Sequence, residues 1–304
     1  MTLHASHTAR SLGVLTALLL GSFARPVAAQ PAAAAQHTEA VADVDAERTD
    51  ETTWNLAAGA NISTGNTRAR NFNAGTDFYI LRGNHALTFR TAFVFGQADI
   101  DGSGGEGYEI NSRNLNSRLR YDLFLTDHDA LFVAVAHRWD TFAGLQTRVQ
   151  LQAGYLRNLI KNESTRAWIE AGYDYTFDNR RNSENQRVIC SQADVDAMIG
   201  GCTRVVRNFQ DIHALRLFYG TTHAFNENVS MATGLEFLIN LNELQGGEAD
   251  RFEDIRLNWE ASLNARLIEK LAIELKFRMQ YDRVPAATEE VDTNTLISLI
   301  YSLL

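Results

Sequence analysis

Proline is nearly missing from this chain, with 3 in 304 residues, which removes collagen-like and proline-rich architectures from consideration. Cysteine is almost as scarce. Cys190 and Cys202 have eleven residues between them, too far for a CxxC redox pair and too few for a disulfide-built scaffold. A surplus of basic residues is also lacking. Asp and Glu total 37 against 28 Lys and Arg, and this argues against nucleic acid as a partner, since binding it needs a basic face to displace counterions. No HExxH or paired Cys/His spacing occurs, and the Gly-rich stretch 102–107 lacks the Gly-Lys-Ser/Thr of a phosphate loop. The acidic pairs Asp99 with Asp101 and Glu248 with Asp250 read as solvated loop. No metal or cofactor is implied. Beyond the N-terminus, no uncharged apolar run approaches the ~20 residues of a spanning helix. A membrane could be entered only as a barrel.

The first 29 residues have the form of a secretory signal peptide. A polar lead from His4 to Arg10 precedes a short apolar run, Ser11 to Gly21, and Val27, Ala28 and Ala29 stand before Gln30. The mature chain is therefore expected outside the cytoplasm. It is two units more negative than the full −9, because Arg10 and Arg25 leave with the signal. In an oxidising compartment Cys190 and Cys202 become a disulfide candidate that would close one exposed loop, with free thiols or a metal pair as alternatives. Residues 30–53 are Ala-rich and then acidic, with no aromatic residue. They read as a solvated periplasmic leader, and the compact domain is expected over 54–304.

From Trp54 onward the dominant period is two. In Ile255 to Leu267, the residues Ile255, Leu257, Trp259, Ala261, Leu263, Ala265 and Leu267 alternate with Arg256, Asn258, Glu260, Ser262, Asn264 and Arg266. A helix would scatter those charges around its axis, whereas a strand sends them all to one side. The same alternation predicts twelve strands, most about 9–15 residues long, longer than the usual ~5–6 and long enough to cross a bilayer at a tilt. Connectors after Leu81, Leu125, Ile160, Phe225 and Leu267 are tight; those after Gln97, Phe177, Leu241 and Tyr281 are long and polar. That asymmetry belongs to outer-membrane barrels, with short periplasmic turns and longer external loops. On the apolar face, Trp54, Phe78, Tyr121, Tyr155 and Tyr301 would mark an inner girdle. Phe93, Phe95, Tyr173, Tyr175 and Tyr281 would mark an outer one. The expected fold is an all-β, transmembrane, antiparallel up-and-down barrel of about twelve strands in the outer membrane of a Gram-negative bacterium. A soluble periplasmic β-sandwich is the alternative.

Several stretches carry a family likeness. Ser63 to Thr67, Arg120 to Leu125, Trp139 to Arg148, Gly154-Tyr155, Glu170 to Tyr175, Tyr281 to Pro285 and Asp292-Thr293 resemble the YdiY-like, salt-induced (acid-inducible) outer-membrane protein family, DUF481. The likeness spans Trp54 to Leu304. It implies an outer-membrane barrel linked to salt or acid stress and supplies no mechanism. One departure is the end of the chain, Ile300-Tyr301-Ser302-Leu303-Leu304, where barrels usually finish on an aromatic residue that the barrel-assembly machinery reads. Outer-membrane lipid, lipopolysaccharide and that machinery are the expected partners.

The inward parity should line the lumen. It holds the bases Arg90, Arg118, Arg120, Arg138, Arg148, Arg166, Arg216, Arg256, Arg266, Lys276 and Arg278. It also holds the acids Asp77, Asp122, Asp140, Glu170, Asp174, Glu236, Asp254, Glu260 and Glu274. A selective pore shows an excess of one sign at its constriction, while near-balanced charges can pair across strands. A structural ion-pair network is thus the leading expectation, with a narrow path for small solutes as its rival. A lipid-modifying barrel enzyme would need a Ser within reach of a His on the lipid face. No mature His is followed two residues later by Ser, so a non-enzymatic envelope protein is the expected function. A surface-binding role for the Cys190–Cys202 loop stays open.

Overall fold

The computed structural model describes residues 50–63, 69–99, 108–142, 145–180, 192–198, 208–244, 249–285 and 290–303. The expected signal peptide and most of the expected leader fall on residues 1–49, outside the described residues. So do both cysteines and the Gly-rich stretch 102–107.

Alternating chemistry becomes strand because only an extended backbone puts every second side chain on one surface. Twelve strands form: β1 (Glu51–Ser63), β2 (Ala69–Arg82), β3 (His85–Asp99), β4 (Tyr108–Phe124), β5 (Asp129–Asp140), β6 (Leu145–Lys161), β7 (Thr165–Arg180), β8 (Phe209–Ala224), β9 (Val229–Asn240), β10 (Ile255–Ile268), β11 (Leu271–Asp282) and β12 (Val291–Ser302). The first strand begins at Glu51, three residues before the expected domain start. Each strand pairs antiparallel with its sequence neighbours, and β12 returns to β1, so the sheet closes. One short helix, α1 (Gln192–Asp196), lies between β7 and β8.

The molecule is an all-β, transmembrane, antiparallel up-and-down barrel. Closure satisfies the backbone groups that hydrocarbon cannot, and parity decides what each side meets. Phe132 is 2% exposed while its neighbour Val133 is 54% exposed, because one points into the lumen and the other out. Leu119, Leu151, Leu217, Leu263 and Leu275 are exposed in the same outward belt. Trp54, Tyr121, Tyr155 and Tyr301 are exposed near the short-turn rim, as are Phe93 and Tyr173 towards the other rim. Connectors at one end are two to four residues long; at the other they run from four residues to twenty-eight.

Pairing is uneven around the barrel. Every other neighbouring pair of strands shares eleven to fifteen residue pairs. The seam between β1 and β12 shares four, from Asn55 with Ser302 to Ala58 with Leu299. One level above the last pair, Asn73 of β2 reaches across the side-chain-free Gly59 and donates to Ser298 Oγ of β12 at 3.4 Å.

Candidate functional site

The lumen is built in layers. Nearest the short turns, inward positions carry apolar groups: Tyr79, Leu81, Ala86, Phe124, Ala130, Phe132, Leu156, Trp168 and Phe218 form one buried cluster. Gly220 makes room for the Trp168 indole, which packs where a Cβ would stand. This aromatic stopper draws on β2 to β8 at the short-turn end.

Charge rests directly on it. The Arg120 guanidinium lies 4.2 Å over the Phe132 ring, Arg216 lies 5.2 Å over Phe218, and Arg166 lies 5.0 Å over Trp168. Such stacking favours a cation over a ring face more strongly when water is excluded. Arg120 donates to Asp122 at 2.7 and 2.9 Å and to Glu170 at 3.0 Å. Arg216 donates to the other oxygen of Glu170 at 2.5 Å and to Glu236 at 2.6 Å. Asn258 completes Glu236 at 2.9 Å. Arg118 reaches the same layer by donating to Gln152 at 2.8 Å, and Gln152 donates onward to Asp174 at 2.8 Å.

Towards the long loops a second tier follows. Arg148 makes two parallel bonds to Asp178, both 2.6 Å, and Arg138 pairs with Asp140 at 2.8 Å. Arg256 sits 3.7 Å from Asp254 and 3.8 Å from Asp174, and Arg278 stands 3.8 Å from Glu260. Asp254 lies in the connector before β10, and burial is the main cause that pushes its carboxyl up to about 6 against the pull of Arg256. Above this tier Ile212, Leu244, Ala249 and Val284 bring an apolar cluster from β8 and two connectors over the network.

Of the residues expected to line the lumen, Arg118, Arg120, Asp122, Arg138, Glu170, Asp174, Arg216, Glu236, Asp254, Arg256, Glu260, Glu274 and Arg278 are buried. Arg148 and Lys276 are half-buried. Arg266 departs from the expectation. It is exposed at the short-turn rim, where β10 carries a bulge between Arg266 and Ile268 and the alternation slips. The stopper was not anticipated from sequence. Its signal was there, as apolar residues on the inward parity towards the short turns after β2, β4, β6 and β8, but read alone they look like noise in the alternation.

A smaller polar surface remains where β1, β2 and β3 face β11 and β12. A cavity of about 140 Å³ is lined there by Asn55, Ala57, Asn73, Asp77, Arg90, Ala92, Glu274, Lys276, Leu296, Ser298 and Ile300, among others. Arg90 pairs with Asp77 at 2.7 Å and Lys276 with Glu274 at 3.1 Å. The described histidines lie elsewhere. His137 meets the Thr147 hydroxyl at 3.0 Å, His223 meets Thr165 at 2.8 Å, His85 meets Tyr121 at 2.6 Å, and His213 meets the Tyr173 hydroxyl. The partners in these contacts are Tyr and Thr, not Ser.

A family described as "Protein of unknown function, DUF481" matches residues 56–303. The chain belongs to this family. Among proteins of curated function none matches the sequence. In solved structures this DUF481 barrel is similar to an outer membrane channel from Pseudomonas putida F1, at 13% identity over 83% of this chain and 95% of that one, with a TM-score of 0.45. It is also similar to the translocator domain of autotransporter NalP from Neisseria meningitidis, at 10% identity over 85% and 90%, with a TM-score of 0.40. The closed barrel itself rests on this chain's own strand pairing.

Proposed function

We propose that the protein is a non-enzymatic barrel of the bacterial outer membrane whose lumen is closed to bulk solute flow. The observation that carries this reading is the layered interior: an aromatic stopper beneath arginine–carboxylate pairs whose members are almost wholly buried. Paired charges of both signs favour a filled lumen over a selective conduit, and the outward apolar belt favours residence in lipid. The salt- or acid-stress role implied by the family likeness belongs to the same proposal, with outer-membrane lipid, lipopolysaccharide and the assembly machinery as partners.

Single-channel recording of the detergent-refolded barrel in a planar bilayer tests this. The expected result is a silent membrane while gel mobility shows a folded, heat-modifiable barrel. Discrete conductance steps that change in a Glu236→Ala, Arg256→Ala double variant would establish the solute path instead. The stress role has its own test. Loss of the gene should lower survival in high salt or acid, and unaltered survival in both removes that part of the proposal.

A further inference from the structure

The seam and the cavity belong together. Asn55 and Ala57 of β1 and Leu296, Ser298 and Ile300 of β12 line the cavity, so it lies immediately behind the strands that pair least. Asn55 stands at the lowest of the ladder's four rungs, and Ala57 and Ile300 face each other at the third. Leu296 stands beyond them, where continued register would place it opposite Asn61. Above Ala58 and Leu299 the facing edges of β1 and β12 form no ladder. Open edges at membrane depth are tolerated only where they border a cavity or a polar group, and here Leu296 and its cross-strand neighbour Lys276 carry the cavity lining up to the level of the unpaired edges.

Its lining has two characters. Ala57, Ala92, Leu296 and Ile300 offer apolar surface, while Asp77, Arg90, Glu274 and Lys276 supply two acids and two bases in two pairs. A head group with net charge would leave one lining charge unmatched in a confined site, whereas a zwitterionic head can exchange partners with both pairs. The volume suits a head group or the end of one chain, since it amounts to on the order of ten waters. We propose that the upper half of the β1–β12 seam is a lateral portal through which a single-chain, zwitterionic amphiphile passes from the bilayer into this cavity. The Asn73–Ser298 bond across Gly59 marks the lower limit of the opening. The proposal rests on the barrel lying in lipid. It adds a sideways entrance to a lumen that is closed along its axis.

The test uses the full chain with Cys190→Ser and Cys202→Ser, refolded into vesicles of phosphatidylethanolamine and phosphatidylglycerol. Ala60→Cys and Ile297→Cys, which would face each other if the ladder continued, allow the portal to be locked by oxidation. Photoactivatable lysophosphatidylethanolamine is added and the labelled residues are mapped by mass spectrometry. Label is expected on the inward residues Ala57, Ala92 and Leu296 as well as on the outward Leu217 and Leu275. Oxidation should cut the inward label several-fold and reduction restore it, with the outward label constant. Ala92→Trp, which fills the cavity, should act like the locked seam, and an anionic lysophosphatidylglycerol probe should label the inward set far less. Outward label with no inward label, or inward label indifferent to the lock, overturns the portal. Equal inward labelling by the two probes overturns the head-group assignment, and absence of outward label overturns the membrane reading beneath both.

Discussion

Glu170 accepts from Arg120 through both oxygens and from Arg216 through Oε2, with its side chain fully buried. Asp122 and Glu236 hold the far sides of those arginines, so the group is a chain of acid and base in which Glu170 is the middle link. Removing one member of a buried pair leaves its partner charged and unmatched, a loss of about 3–5 kcal/mol. Glu170→Gln keeps the shape and removes the charge, so unfolding in urea from detergent micelles should show a destabilisation of that order. Glu274→Gln, whose partner Lys276 is half-buried, should cost clearly less. Asp254 gives a pH signature. Its carboxyl is raised, so the folded barrel favours the protonated form: this stabilisation is full below the ordinary Asp value of about 4 and is lost as pH rises through about 6. Asp254→Asn should therefore flatten the decline in the temperature of gel-detected unfolding over that window. An unchanged slope would mean that another group titrates there.

At the scale of elements, the weakest joint is the β1–β12 seam. A Cβ on Gly59 would stand 2.5 Å from Asn73 Oδ1 and 2.9 Å from the Ile297 carbonyl, one a movable side chain and the other backbone. Gly59→Val should release the Asn73–Ser298 bond and spread the strands, a strain of about 1–3 kcal/mol. Amide exchange of β12 should quicken in that variant while β7 amides stay protected, and uniform quickening would argue against a local joint. The strands themselves were legible in the sequence. Ile255 to Leu267 and Leu271 to Tyr281 alternate so regularly that no other backbone could sort their side chains, and the connectors foretold which end bears the long loops. The seam was not legible, because where β1 stops meeting β12 depends on closure across nearly the whole chain. Nor was the stopper. Trp168 and Phe218 sit on a parity that elsewhere holds charge, and only the β7–β8 register places the Trp168 ring over Gly220 and beside Phe218.

For the whole molecule, the axial closure we propose should depend on the stopper more than on the charges above it. Cross-strand pairs can rearrange around a missing member, but a ring that fills the short-turn end has no substitute once removed. Trp168 and Phe132 are both 2% exposed, and Phe132 also carries the Arg120 and Arg216 guanidiniums. Truncating both to Ala removes volume that the rigid wall cannot recover by collapse, at a cost of about 3–5 kcal/mol per site. Polar groups beside the new space should admit water. The double variant Phe132→Ala, Trp168→Ala is therefore expected to show conductance steps in a planar bilayer where the unaltered barrel is silent. Restoring Trp168 alone should narrow or abolish them. If the truncated barrel folds and stays silent, the closure lies in the paired charges, and the Glu236→Ala, Arg256→Ala variant should conduct in its place.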